Sequence, residues 1–123
     1  MATSNNAKIL NLEAGADLSA AHFLLVKGHT TANQVVLAGN GENAVGVLLE
    51  PADAAGKAVA VAAGGIVRAY AGDTVAVGAQ VASDAAGKVV TAASGDQILG
   101  VAVTAGAADT MMEFVWEKQG AVA

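Results

Sequence analysis

The sequence predicts an all-β fold: a small single-domain β-sandwich or barrel-like structure of short strands with a two-unit pseudo-repeat and an extended N-terminal arm. Three observations lead there. Apolar runs are short and are cut by glycine or Asp/Asn turns before a helix can form, most plainly across Ala71–Val103, AGDTVAVGAQVASDAAGKVVTAASGDQILGVAV. The apolar residues are dominated by valine and alanine, and the chain holds only four aromatics, Phe23, Tyr70, Phe114 and Trp116. The pattern also echoes itself at an offset of 54 residues: Val35-Val36 answers Val89-Val90, Gly41-Glu42 answers Gly95-Asp96, and Val45-Gly46-Val47 answers Leu99-Gly100-Val101.

In order, Met1–Asn6 is small and polar and is expected to be disordered in isolation. Ala7–Leu12 follows as a short apolar patch carrying Ile9, Leu10 and Leu12. Two readings stand for it, a first strand of the domain or an arm that adds a strand to a neighbour. The division adopted takes the arm: 1–14 arm, 15–118 β-rich domain, 119–123 tail. Ile9, Leu10 and Leu12 are the candidate contact residues. Asp17 is placed to cap one helical turn over Leu18–Phe23. Phe23–Val26 and Gln34–Leu37 read as strands around a polar loop containing His29. Gly39–Asn43 reads as a turn.

Ala44–Glu50 reads as a strand whose internal glycine, Gly46, implies a bulge or a close backbone approach. Pro51 ends it. Asp53-Ala-Ala-Gly56-Lys57 is a hairpin-type turn with glycine where a left-handed residue is wanted. Ala58–Ala63 and Ile66–Tyr70 are strands parted by Gly64-Gly65. The pentapeptide DAAGK recurs at Asp84–Lys88, at an offset that disagrees with the longer echo. It is therefore read as one turn chemistry used twice. Met111–Glu117 is the final strand, with two of the four aromatics.

The totals bound the function. A chain of 123 residues fits one domain and buries about 65% of its unfolded surface. Alanine contributes little of that area, so oligomerisation would help such a core. The net charge is −5, and the six basic residues are scattered (Lys8, Lys27, Lys57, Arg68, Lys88, Lys118), which argues against nucleic acid as a partner. Mean hydropathy is high, +0.52. The longest clearly apolar run, Ala58–Val67, is nonetheless ten residues with two internal glycines, against about 20 for a membrane-spanning helix. No membrane partner and no secretory leader are expected. With no cysteine, disulfides, thiolate metal sites and cysteine nucleophiles are all excluded.

Chemistry-bearing motifs are weak. DAAGK lacks the glycine spacing and the Ser/Thr of a phosphate loop, and a strand rather than a helix follows it. Gly39-x-Gly41 lacks the third glycine of a dinucleotide fingerprint. His22 and His29 could form a metal site with Glu13 or Asp17 only on paper. Ser4, Ser19, Ser83 and Ser94 fit no nucleophile elbow. Glu113 and Glu117 share one face of the last strand and read as its solvent side. No catalytic residue, metal or cofactor is expected, and the chain is not expected to be an enzyme. The run Gly72-Asp73…Gly78-Ala-Gln80-Val81 looks like half of a biotinyl or lipoyl carrier domain, which would make Lys88 the modified residue. Lys88 follows Gly87 at the start of a strand, whereas a carrier lysine stands at the tip of its turn.

Taken as an ordered set, five segments resemble the small capsid cement, or head decoration, proteins of tailed bacteriophages. They are Phe23-Leu-Leu-Val-Lys27, Ala44-Val-Gly-Val-Leu48, Gly72-Asp73…Val77-Gly78-Ala-Gln-Val81, Asp84-Ala-Ala-Gly-Lys-Val-Val90 and Ile98-Leu-Gly-Val-Ala-Val103. The resemblance runs from about Ala21 to Val115. It implies a β-rich subunit on the outer surface of the virion, commonly a homotrimer, that clamps neighbouring major capsid subunits. It implies no catalytic residue and no cofactor.

Overall fold

The computed structural model describes residues 8–122. The expectation of disorder for Met1–Asn6 lies outside them. The described residues form ten strands and no helix: β1 Ile9–Ala14, β2 Leu25–Gly28, β3 Gln34–Leu37, β4 Gly46–Glu50, β5 Ala58–Ala62, β6 Ile66–Tyr70, β7 Gln80–Ser83, β8 Val89–Thr91, β9 Gln97–Ala102 and β10 Met111–Ala121.

The first five strands close a barrel in the order β1-β3-β2-β4-β5. The last five form a sheet in the order β6-β10-β9-β7-β8. Each strand of the second half takes the place of the strand five earlier in the first. The registers agree residue by residue. Val26↔Leu37, Lys27↔Val36 and Gly28↔Val35 in the first half match Val81↔Thr91, Ala82↔Val90 and Ser83↔Val89 in the second. Val26↔Gly46 matches Val81↔Gly100. The barrel closes by the parallel pair of β1 and β3 through Ala14↔Val35, and the second half approaches the same closure through a single parallel bridge, Ala71↔Val89. The backbone N–H of Gly15 donates to Val35 O (2.7 Å), as that of Gly72 donates to Val89 O (2.8 Å).

The pseudo-repeat at offset 54 is thus a repeat of topology. The two DAAGK turns occupy different places in it, β4 to β5 and β7 to β8. Both glycines take positive φ, +87° at Gly56 and +77° at Gly87, the left-handed conformation that an L side chain resists.

Side-chain alternation sorts the core into two clusters. Val26, Val35, Leu48, Val59, Val61, Ala14 and Leu18 fill the first barrel. The second cluster fills the second half with Val67, Val75, Val81, Leu99, Met112 and Phe114, and it also takes in Leu25, Val47 and Ala62 from the outside of the first barrel. Strands β4 and β5 are therefore buried on both faces, while β6 alternates Val67 and Ala69 inward with Arg68 and Tyr70 outward. Phe23 pins the halves together. It holds a positive φ of 61°, its N–H donates to Leu48 O at 2.8 Å, and its carbonyl accepts from Tyr70 N at 3.1 Å.

Three local expectations are corrected. Ile9–Ala14 is the first strand of the barrel, paired along its length with β5 and at its end with β3, so the intramolecular reading of this segment is the one adopted by the chain. β5 holds β1 from Ile9 to Glu13, and β3 closes the barrel at Glu13 and Ala14. Leu18–Phe23 forms turns rather than a helical turn. Asp17 Oδ1 accepts from Ser19 N and Oγ (3.0 and 2.7 Å), and successive bonds run from Ala21 N to Leu18 O and from Leu24 N to Ala21 O. The last strand does not stop at Glu117. It continues past a bulge to Ala121, where Gly120 pairs with Ile98 and Ala121 with Gln97, so the expected tail is mostly strand.

Candidate functional site

The functional question here concerns surfaces, because the ionisable side chains are dispersed. Among the described residues no group of three or more His, Asp or Glu side chains is placed to hold a metal ion. His22 and His29 are both exposed and stand apart. His22 stacks on Phe23 with ring centroids 3.9 Å apart, and the His29 ring lies over Gly15. Glu113 faces Arg68 at 3.9 Å. Glu117 accepts instead from the Gln119 amide at 3.0 Å, so the two glutamates do not act as a pair.

Each charged turn is internally satisfied. Lys57 Nζ donates to Asp53 at 2.7 Å, which holds the Asp53 carboxyl below its ordinary range and raises the lysine. Lys27 Nζ donates to both oxygens of Glu42 (2.8 and 2.9 Å), and the Gly39 N–H adds a third bond at 2.6 Å. These bonds lower the Glu42 pKa, the Lys27 hydrogen bond most. Asp84 Oδ1 accepts from Ala86 N and Lys88 N (2.8 and 2.9 Å), the side-chain closure expected of an Asx turn.

Lys88 sits at the base of that turn. Its ammonium is paired with Asp109, which raises its pKa. A modifiable carrier lysine needs a free amine at a hairpin tip. The geometry at Lys88 is the opposite, at the inner end of a turn and engaged by a carboxylate. It forms, with His22, Tyr70, Asp109, Ala20 and Leu24, a cleft of about 250 Å³ between the halves.

The three residues singled out for a neighbour contact lie together on β1. Ile9 is 46% exposed. Leu10 and Leu12 are half-buried and pack against the core of the first barrel. Sequence reasoning missed a second exposed apolar feature. Val77 is 64% exposed and Val103 41%. The loops that carry them are joined by Gly78 N to Ala102 O (2.8 Å) and Ala102 N to Ala79 O (2.9 Å), and beyond these by the Val75↔Gly106 bridge. The signal was present in the sequence: Val75–Ala79 and Val101–Ala108 contain no charged residue.

The family model described as phage cement protein matches residues 12–116. No curated protein sequence gives a significant match. Among solved structures, the chain is similar to the head fiber gp8.5 N base of bacteriophage phi29, with a TM-score of 0.75 at 15% identity, covering 89% of this chain and 95% of that one. At that identity the likeness is one of fold. The family model spans both halves of the repeat, from β1 into β10, and on that match the chain belongs to the phage cement protein family.

Proposed function

We propose that this chain is a capsid decoration protein that binds the outer surface of a phage head and stabilises contacts between neighbouring major capsid subunits. The family match over residues 12–116 carries this reading. In it the partners are the major capsid protein and further copies of the chain, assembled as a homotrimer. The work is done by binding and not by catalysis. A protein that binds the mature lattice and not its disassembled subunits stabilises the lattice by its binding free energy, repeated over many copies.

The outer face of β1 is the proposed capsid contact. Ile9 presents its side chain to solvent from a strand held along β5, so little is lost in ordering it. Leu10 and Leu12 hold the strand to the barrel and set the height at which Ile9 stands.

Substitution rather than deletion is the proper test, since removing β1 would open the barrel. With Ile9→Asp we expect a small fall in thermal midpoint and about tenfold weaker occupancy of purified heads, the scale of one lost apolar anchor. Unchanged occupancy would remove Ile9 from the contact. Failure of the unsubstituted protein to bind heads would overturn the decoration reading itself.

A further inference from the structure

The two halves are controls for one another. Leu18 N donates to Ala52 O at 2.8 Å in the first half, as Val75 N donates to Gly106 O at 2.9 Å in the second. The loop ends around these bonds are therefore equivalent positions of one topology. Their chemistry differs. The first-half end carries Asp17, Glu50, Asp53 and Lys57, with Asp17 bound by Ser19 and Asp53 by Lys57, and reads as a solvated surface. The second-half end carries no charge along Val75–Ala79 or Val101–Ala108, its nearest carboxylates, Asp73 and the Lys88-paired Asp109, standing at the margins of these stretches. It exposes Val77 and Val103, with Ala76, Ala105 and Ala107 exposed around them. The backbone between the two loops is hydrogen-bonded, so the exposed valines are held in place rather than free to fold inward.

The chain carries eleven acidic and six basic residues. Copies that approach through most faces bring carboxylates together and repel. An uncharged apolar end is self-complementary, because it asks for no opposite charge and strands none on closure. A partner selected for this chain's acidity would be read elsewhere.

We infer that the uncharged end of the second half, centred on Val77 and Val103, is the surface through which copies of this chain associate with one another. This deepens the homo-oligomer part of the proposed function and rests on it. The equivalent first-half position, Ala20, lies two residues after Leu18 as Val77 lies two after Val75, and it supplies a matched control.

Sedimentation equilibrium over a concentration series tests the surface. The unsubstituted chain should self-associate. Val77→Asp and Val103→Asp should each weaken association by about tenfold or more, with unchanged circular dichroism and thermal midpoint because both sites are exposed. Ala20→Asp should associate like the parent. A parent chain that stays monomeric overturns the inference, as does oligomerisation that survives both substitutions. Head occupancy measured on the same proteins separates the outcomes. If the parent is monomeric and Val77→Asp abolishes occupancy, the end contacts the capsid instead, which overturns this inference and leaves the decoration reading standing. If the parent associates but does not bind heads, the self-association surface stands and the decoration reading falls.

Discussion

Gly46 and Gly100 occupy the same place in the two halves, opposite Val26 and Val81 in turn. Each lies where a neighbouring strand comes too near for a side chain. A Cβ on Gly100 would overlap the Val115 carbonyl oxygen and lie 2.9 Å from the Phe114 ring; one on Gly46 would overlap the Ala62 carbonyl oxygen and lie 2.5 Å from Val61 Cγ1. The nearest atom in each case is a backbone carbonyl oxygen, which cannot swing aside. Gly100→Ala should therefore cost about 3 kcal/mol or more. Gly56→Ala is the comparison: its φ of +87° is strained for alanine but open space surrounds it, so about 1 kcal/mol is expected. Urea unfolding of the two variants decides the matter. Equal losses would mean that close approach does not govern Gly100. The core residues nearby show the same economy of space. The first half pairs Leu48 with Val61 across its strands, whereas the second pairs Ala102 with Phe114, small against large in reversed order.

Among the elements, β10 departs furthest from its sequence. Met111–Val115 alternates inward Met112 and Phe114 with outward Glu113 and Val115, a plain half-buried strand. Trp116 packs beside Phe114 with centroids 6.0 Å apart, and Lys118 Nζ lies 5.8 Å over the Trp116 ring, where burial lowers its pKa. After the bulge the strand rejoins β9, and Gly95 N donates to Val122 O while Val122 N donates to Asp96 O, both at 2.9 Å. A chain ending at Glu117 should lose about 1–3 kcal/mol, the scale of a few backbone hydrogen bonds and the edge they cover. The thermal midpoint and faster amide exchange at Gly95, whose N–H donates to Val122 O, and at Ile98, opposite Gly120, would report it. Unaltered exchange at those amides would show that the extension contributes nothing to the sheet.

For the whole molecule, hydrogen-bonded surface charges contribute a pH dependence to stability. Asp17, Glu42 and Asp53 all titrate below their ordinary values because hydrogen bonds hold the ionised forms. Their folded forms take up protons later than their unfolded forms as pH falls. Their stabilisation is present above the ordinary carboxylate range, about pH 4, and is lost as pH drops through the lowered values. Lys57 and Lys88 are raised by Asp53 and Asp109, so their contribution is full below about pH 10.4 and disappears as pH rises through the raised values. Thermal midpoints should form a plateau between these limits. Glu42→Gln should shallow the acid limb without changing the alkaline one. Because these pairs lie at the surface, added salt should flatten both limbs. A midpoint that declines steadily from pH 7 to pH 5 would contradict this account.

What was legible in the sequence was what side-chain pattern and turn chemistry encode locally. Gln34–Leu37 and Ile66–Tyr70 were readable as strands from their branched residues, the DAAGK turns from their glycines, and the doubled unit from the register of Gly46 with Gly100. The family texture was legible for the same reason, since it resides in the order of those strands and turns. Other features depended on backbone hydrogen bonding and on contacts distant in sequence. The polar end of β10 rejoins the sheet because the backbone of Gly120 and Ala121 finds β9, to which the side chains give no clue. Ile9, Leu10 and Leu12 looked like a loose apolar arm because their partners, Ala62, Val61 and Val59, lie some fifty residues away. Exposure is likewise a tertiary property. Val75 and Val77 are alike in sequence, yet one is sealed in the core and the other stands in solvent. Composition and local pattern determined an all-β chain of repeated units; the long-range pairing of β1 with β5 and β3 closed the first barrel, and the packing of the halves decided which apolar residues remained exposed.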